Sequence, residues 1–284
     1  MIKVTAPTRI DISAGWSDAN PFQSDFGGAV LNAAINLRVS ATLKGKDLIS
    51  SLENVPSNSG LGTSGALRAV YLVAANPELI KDKIKLIKRV HVFENAIVGQ
   101  RAGFQDQAAA VFGGVNYWEF RKDGSIRKKN IPKKKAKHLY DRLVLVYTGD
   151  RHQSSNVHAE VFDGRYMKFI PVIERMSVLA KKMADNITNE NKMTEFFRET
   201  WMLQKSLHSK MESPAMQKLQ QICVNCYLAC RATGAGGGGC MLFYVKPEKK
   251  KNLIRIFEKM KKKLPNMEVL PFEFDWRGIE LENK

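Results

Sequence analysis

The segment Pro56 to Leu72, PSNSGLGTSGALRAVYL, passes from small flexible residues to helical periodicity within a few positions, and it limits what the rest of the chain can be. Ser57, Ser59, Gly60, Gly62 and Thr63 keep bulk away from the backbone, so successive amides can curl around an anion. Ser64, Ala66 and Leu67 then open a helix whose N-terminus faces the same place. The reading is a phosphate cradle made by Pro56, Ser59, Gly60, Leu61, Gly62, Thr63 and Ser64. It is not the P-loop pattern, because no Gly-Lys-Ser/Thr follows and no lysine opens the helix. An ordinary loop leading into a capped helix would have a similar composition, so the surrounding segments have to decide.

Upstream, Ile2 to Thr5 and Arg9 to Ser13 alternate like short strands split by Ala6-Pro7, and Gly15 to Pro21 is a polar turn. Gly27 to Leu43 reads as one or two long, mostly buried strands. Downstream, the pattern predicts a helix from about Asp82 to Gln100, with Glu94 late in it. Arg101 to Gly114 is a loop, a short helix and a Gly-Gly stop, Val115 to Phe120 a strand, and Arg121 to Lys137 an exposed basic hairpin or connector. A boundary there divides the chain into residues 1–138 and 139–284. Arg142 to Tyr147 is a strand, helical patterns cover 154–162, 165–185, 190–210 and 214–232, and Cys240 to Val245, Lys249 to Lys263 and Glu268 to Asp275 read as strand, helix and strand. The run Gly236 to Gly239 must permit a close backbone approach, either to a ligand or to the cradle.

Composition excludes some function classes. No run of about 18 apolar residues is present and Met1 to Pro7 has no signal-peptide character, so the expectation is a cytoplasmic protein without membrane association. Cys223 and Cys226 are spaced CxxC with no matching His or Cys pair, so core thiols fit better than metal or redox chemistry. The net charge of +17 would suit a polyanion binder, but the bunches at Arg127 to Lys137 and Lys246 to Lys263 lack interleaved aromatics. Leu253, Ile254, Ile256, Phe257 and Met260 give the second bunch an amphipathic face, so its lysines are solvated and nucleic acid is not the expected partner.

With these residues in view the chain resembles the GHMP kinase family. APTRIDISAGWSDA (Ala6 to Ala19) is similar to that family's N-terminal substrate motif, PSNSGLGTSGA (Pro56 to Ala66) to its Gly/Ser phosphate motif, and TGAGGGGC (Thr233 to Cys240) to its C-terminal glycine motif. RIDISAGWSD, FGGAVLNAAI, GFQDQAAAVFGGVNYWEF and YTGDRHQSSNV look most like the sugar kinases acting on fucose or on heptose 7-phosphate. The resemblance implies an α+β, two-domain kinase. Its N-terminal mixed-sheet α/β domain carries the phosphate loop, and its helix-rich C-terminal domain is built on a ferredoxin-like sheet. It implies ATP and Mg²⁺ as cofactors and a small-molecule sugar or sugar phosphate as partner, with a homodimer left open.

Phosphoryl transfer needs amides around phosphates, a divalent metal, a cation near the transferred group and a carboxylate at the acceptor hydroxyl. Ser64 and Glu94 offer hard oxygens for Mg²⁺. By resemblance Asp106 is the catalytic base or orienting group, Arg9 stabilises charge, and Asp18 grips sugar hydroxyls. Trp16, Gln107, Gly236 and Gly237 complete the expected substrate site. Each residue also has a structural alternative: an Arg9–Asp11 strand-edge pair, an Asp18 turn, Trp16 in plain packing, and Asp106 as the cap of a short helix. Three departures stand out. Ala14 replaces a frequent glycine, Arg151, His152, Ser154 and Ser155 stand after Thr148-Gly149 where arginines are usual, and the chain is short for the subgroup; His152 and His158 are not expected as catalysts, since the transfer requires no histidine. Outside the sugar kinases, the remaining readings are a kinase for a mevalonate- or inositol-like alcohol and an inactive basic binding module.

Overall fold

The computed structural model describes residues 1–150, 160–162 and 166–283. Arg151, His152, Ser154, Ser155 and His158, and most of the helix expected at 154–162, lie outside them. The chain begins with β1 (Ile2–Asp11), α1 (Phe22–Phe26), β2 (Gly28–Lys44) and β3 (Asp47–Leu52). The cradle leads into α2 (Thr63–Ala75), followed by α3 (Lys83–Val92), α4 (Gln105–Phe112), the hairpin β4 (Val115–Phe120) and β5 (Ile126–Asn130), and α5 (Lys133–Tyr140). After β6 (Leu143–Tyr147) come α6 (Tyr166–Asp185), α7 (Glu190–Leu207) and α8 (Pro214–Ile222). Strands β7 (Ala229–Ala232) and β8 (Cys240–Tyr244), α9 (Pro247–Met260), β9 (Glu268–Leu270) and β10 (Glu280–Asn283) close the chain.

Two sheets result. In the first the order is β10-β1-β2-β4-β5, with β3 paired to the far half of β2. Its pairings among the described residues are all antiparallel, so the expected mixed sheet is corrected: β1 runs antiparallel along most of β2, and β4 and β3 use the two halves of that same strand. The second sheet has the order β7-β8-β6-β9, which is the ferredoxin-like order of a split βαβ arrangement.

The long apolar run of β2 is explained by burial on both faces. Val30, Val39 and Ala41 pack with Ala66, Ala69, Val70 and Val90 under α2 and α3, whereas Leu31, Ala33, Ile35 and Leu37 enter a core shared with Leu143, Leu145, Leu179, Phe197 and Leu242. The side-chain period of two separates Val30 from Leu31, and the register shift between Pro7 and Thr8 exchanges the faces, so that Val39 and Ala41 rejoin the core of Val30. The second sheet repeats the arrangement. Val144, Val146, Met241 and Phe243 turn away from that shared core and pack on Leu253 and Phe257 of α9.

Several local expectations are corrected. Ala6-Pro7 does not split β1. The register shifts between Pro7 and Thr8, and a proline without an N–H is tolerated at such a bulge. The expected helix over Asp82 to Gln100 ends at Val92 and continues as a π turn, Phe93–Ile97. Of the two readings of the basic run 121–137 the hairpin holds, with β5 pairing back on β4, and α5 follows it. The helix expected over 214–232 stops at Ile222, and Ala229–Ala232 is a buried strand.

Candidate active site

Gly60 and Gly62 adopt positive φ angles of 73° and 71°, and this lets the cradle backbone reverse just before α2. Gly62 is the N-cap of α2 and supplies no side-chain cap, so the first amides of that helix are left to whatever anion approaches. The cradle rests on the C-terminal glycine motif. Cys240 donates its amide to Ser59 O at 2.8 Å, and a Cβ on Gly239 or Gly234 would come within 2.5 Å of Ser59 O or 2.7 Å of Gly60 O. Of the two approaches left open by the sequence, the glycine motif makes the one to the cradle. Gly236 and Gly237 back onto Met211 and Lys210 instead.

Arg9 and Asp106 meet beside the cradle. Arg9 Nε donates to Asp106 Oδ1 at 2.8 Å, Nη2 lies 2.7 Å from the same oxygen, and Nη1 donates to Gly60 O at 2.5 Å. Burial pulls the Arg9 pKa down, but the charges of Asp106 and Asp11 outweigh it and leave the guanidinium above its ordinary value. The Asp106 side chain keeps 27% exposure, so the pair opens on one side. Gly65 allows this approach, since a Cβ there would lie 2.7 Å from Asp106 Cβ.

Ser64 and Glu94 form the second cluster. Ser64 Oγ donates to Glu94 Oε1 at 3.1 Å, and Arg68 contacts both residues. Burial, followed by the charge of Asp106, pushes the Glu94 carboxyl up to about 7, against the pull of Arg68 and the Ser64 hydrogen bond. Among the described residues Glu94 Oε2, Ser59 Oγ and Thr63 Oγ1 are buried polar atoms without a hydrogen-bond partner. Orphaned oxygens beside an uncapped helix start fit a phosphorylated ligand with a hard cation. Among the described residues no group of three His, Cys, Asp or Glu is placed to hold a metal ion.

Asp18 is 1% exposed and accepts the Gln105 amide at 2.8 Å. Burial, and then the neighbouring Asp106 charge, raise its pKa to about 6. Gly103 makes room for it, because a Cβ there would fall 2.1 Å from Asp18 Oδ2. Gln107 is fully buried and its side chain donates to Gly103 O at 2.8 Å. Trp16, 3% exposed, stands with Ala14, Phe22, Phe162 and Phe169 in an apolar cluster, its ring 5.8 Å from that of Phe162. Ala14 has φ 65°, a conformation glycine adopts without strain, and this gives the glycine expected there a physical reason.

Sequence reasoning missed two arginines. Arg231, fully buried on β7, donates to Asp11 Oδ1 at 2.5 Å and to Gln204 Oε1 at 3.1 Å, while Asp11 Oδ2 accepts the Gly234 amide at 3.1 Å. Asp11 therefore pairs across to the second sheet and not with Arg9 along the strand edge. Reading 229–232 as helix hid Arg231. Arg68 was legible only as Ser64 plus four residues, one turn along α2.

Comparison with known proteins agrees with this geometry. Residues 29–114 match the family model for the GHMP kinases N terminal domain. The chain is 24% identical to a D-glycero-alpha-D-manno-heptose 7-phosphate kinase of Campylobacter jejuni, over 91% of this chain and 93% of that protein. It is 24% identical to a bifunctional fucokinase/GDP-fucose pyrophosphorylase of Arabidopsis thaliana over 89% of this chain, which spans 30% of that longer protein. The crystal structure of a D-glycero-D-manno-heptose 1-phosphate kinase from Bacteroides thetaiotaomicron superposes with a TM-score of 0.78 at 20% identity, covering 100% of this chain and 99% of that one. Residues 29–114 are therefore a GHMP kinase N-terminal domain, and the chain as a whole carries the GHMP kinase fold.

Proposed function

We propose that this chain is an ATP-dependent sugar kinase that transfers the γ-phosphoryl group of ATP to the anomeric hydroxyl of a hexose or a heptose 7-phosphate, giving a sugar 1-phosphate. The observation that carries the reading is the meeting of the Arg9–Asp106 pair, the uncapped start of α2 and the Ser64–Glu94 pair around one open edge. Two relatives named for sugar phosphorylation support the substrate class.

In this reading the amides from Gly62 onward and the buried hydroxyls of Ser59 and Thr63 take the phosphates. Ser64 Oγ and Glu94 would hold Mg²⁺, which when bound supplies positive charge to the phosphate oxygens. Asp106 accepts the proton of the attacking hydroxyl or orients it, while Arg9 fixes that carboxylate and leans on the cradle through Gly60. Asp18 addresses sugar hydroxyls, with Trp16 as part of the apolar wall behind it. The substrate cleft then falls between residues 1–138 and 139–284, with β10 returning to the first sheet. Among the described residues no helix is long and apolar enough to cross a membrane, and we place the reaction in the cytoplasm.

Phosphorus NMR of reactions with ATP, Mg²⁺ and a panel of free and phosphorylated sugars tests the assignment. A new resonance coupled to an anomeric proton supports it. ATP turnover that yields only inorganic phosphate, or a phosphate on another hydroxyl, contradicts it.

A further inference from the structure

Arg68 lies one helical turn beyond Ser64, and its guanidinium contacts both groups assigned above to the metal. One terminal nitrogen donates to Ser64 Oγ, and Nε lies 3.6 Å from Glu94 Oε1. The other terminal nitrogen donates to Gln100 Oε1 at 3.0 Å, so hydrogen bonds to α2 and to the loop after the π turn hold the two ends of the fork, while Nε, buried without a hydrogen-bond partner, faces Glu94 as an ion pair. This is not a loose surface ion pair. The Arg68 side chain is 16% exposed and that of Glu94 3%, and the second Glu94 oxygen is buried without a partner.

A divalent cation bound through Ser64 Oγ and Glu94 would sit against the guanidinium that now donates to Ser64 Oγ and pairs with Glu94. The two cations repel at contact distance in a site this buried, so the guanidinium has to give way as the metal binds. The long arginine stem gives it a way out, because Gln100 is exposed and Arg68 can turn toward solvent along it.

We propose that Arg68 is a built-in counter-cation for the Ser64–Glu94 pair, holding both groups in place before the nucleotide arrives and yielding them to the metal, so that it sets how much divalent cation the protein requires. The inference rests on reading Ser64 and Glu94 as metal ligands. Two opposite effects follow from removing the guanidinium. The metal loses a competitor, so less Mg²⁺ suffices. Metal-free nucleotide loses a positive charge near its phosphates and binds more weakly.

The test is calorimetric titration of the full chain with the non-hydrolysable analogue AMP-PNP, from EDTA through a series of Mg²⁺ concentrations. In Arg68→Ala the Mg²⁺ concentration giving half of the metal-dependent gain in affinity falls by about five- to tenfold, and affinity in EDTA falls several-fold. Arg68→Met keeps an unbranched apolar stem at this position of α2 and gives the same two shifts, which separates the effect from loss of fold. An unchanged or raised Mg²⁺ midpoint in both variants, with AMP-PNP still bound, overturns the role of Arg68. Failure of the wild-type chain to bind AMP-PNP at any Mg²⁺ concentration overturns the nucleotide reading beneath it as well.

Discussion

Arg9 and Asp106, 97 residues apart in sequence, meet with two guanidinium nitrogens converging on a single carboxylate oxygen, Oδ1. That geometry leaves Oδ2 outside the pair while Arg9 stays anchored to the cradle through Gly60 O. A carboxylate held by one oxygen and open at the other is suited to receiving a proton from an acceptor hydroxyl. Asp106→Asn therefore lowers kcat by roughly 100- to 10,000-fold with AMP-PNP affinity changed by no more than about threefold. Steady-state kinetics beside calorimetry checks the split. Equal losses in both would reduce Asp106 to a binding residue.

Arg9→Lys removes the fork that reaches Asp106 and Gly60 together, because a lysine presents a single nitrogen. Both kcat and the KM for ATP worsen, in contrast to Asp106→Asn. A variant with only one of the two affected would separate the cradle contact from the carboxylate contact.

Asp18 gives a prediction about pH and stability. Its pKa is raised by burial from an ordinary 3.8 to about 6 in the folded chain, so between those values the native state binds more protons than the unfolded one. Stability accordingly falls as pH rises through that window, and the cost is complete above it, on the order of 3 kcal/mol for a two-unit shift. Asp18→Asn keeps an acceptor for the Gln105 amide and removes the charge. Its melting temperature exceeds that of wild type at pH 7.5 and equals it near pH 4, while the KM for the acceptor sugar rises. Thermal scans at the two pH values check this, and a variant less stable at pH 7.5 would refute it.

The cradle's support by the glycine motif is tested by alanine substitution. Gly239 has φ 76° and a Cβ there would sit 2.5 Å from Ser59 O, whereas Gly45, with φ 63°, has nothing within 4 Å. Gly45→Ala costs about 1–2 kcal/mol, the price of left-handed backbone alone. Gly239→Ala must also displace Ser59, so it loses more stability and raises the KM for ATP. Equal losses at the two positions would show that the motif does not support the loop.

Arg231 and Asp11 join β7 to β1 as a buried pair, and removing one partner strands the other's charge. Arg231→Met is expected to cost roughly 3–5 kcal/mol, with the double variant Asp11→Asn, Arg231→Met recovering part of it. Chemical denaturation of the set checks the coupling. Strictly additive losses would mean that the two charges do not depend on one another.

Much of this was legible in the sequence because local and tertiary forces agreed. The Gly/Ser run read as a loop, the apolar run after Gly27 as mostly buried strand, and Gly236 to Gly239 as a close backbone approach to a ligand or to the cradle. Where tertiary pairing overrode local preference, sequence reasoning failed. Ala229–Ala232 has two alanines among four residues, which favours helix, yet the pairing partners of β8 and the buried Asp11 carboxylate place it in a sheet. Pro7 marked an interruption correctly but not its kind, since a bulge satisfies the ladder around a missing N–H. The π turn at Glu94 follows no sequence pattern, although it is what aims that carboxylate at Ser64.

ADP release measured with Mg²⁺-ATP and a panel of free and phosphorylated sugars tests most directly whether Ser64, Glu94, Arg9 and Asp106 form one phosphoryl-transfer site. The expected result is release that depends on one sugar class and is lost at least 100-fold in Asp106→Asn. Sugar-independent release, or a rate that Asp106→Asn leaves intact, would contradict it.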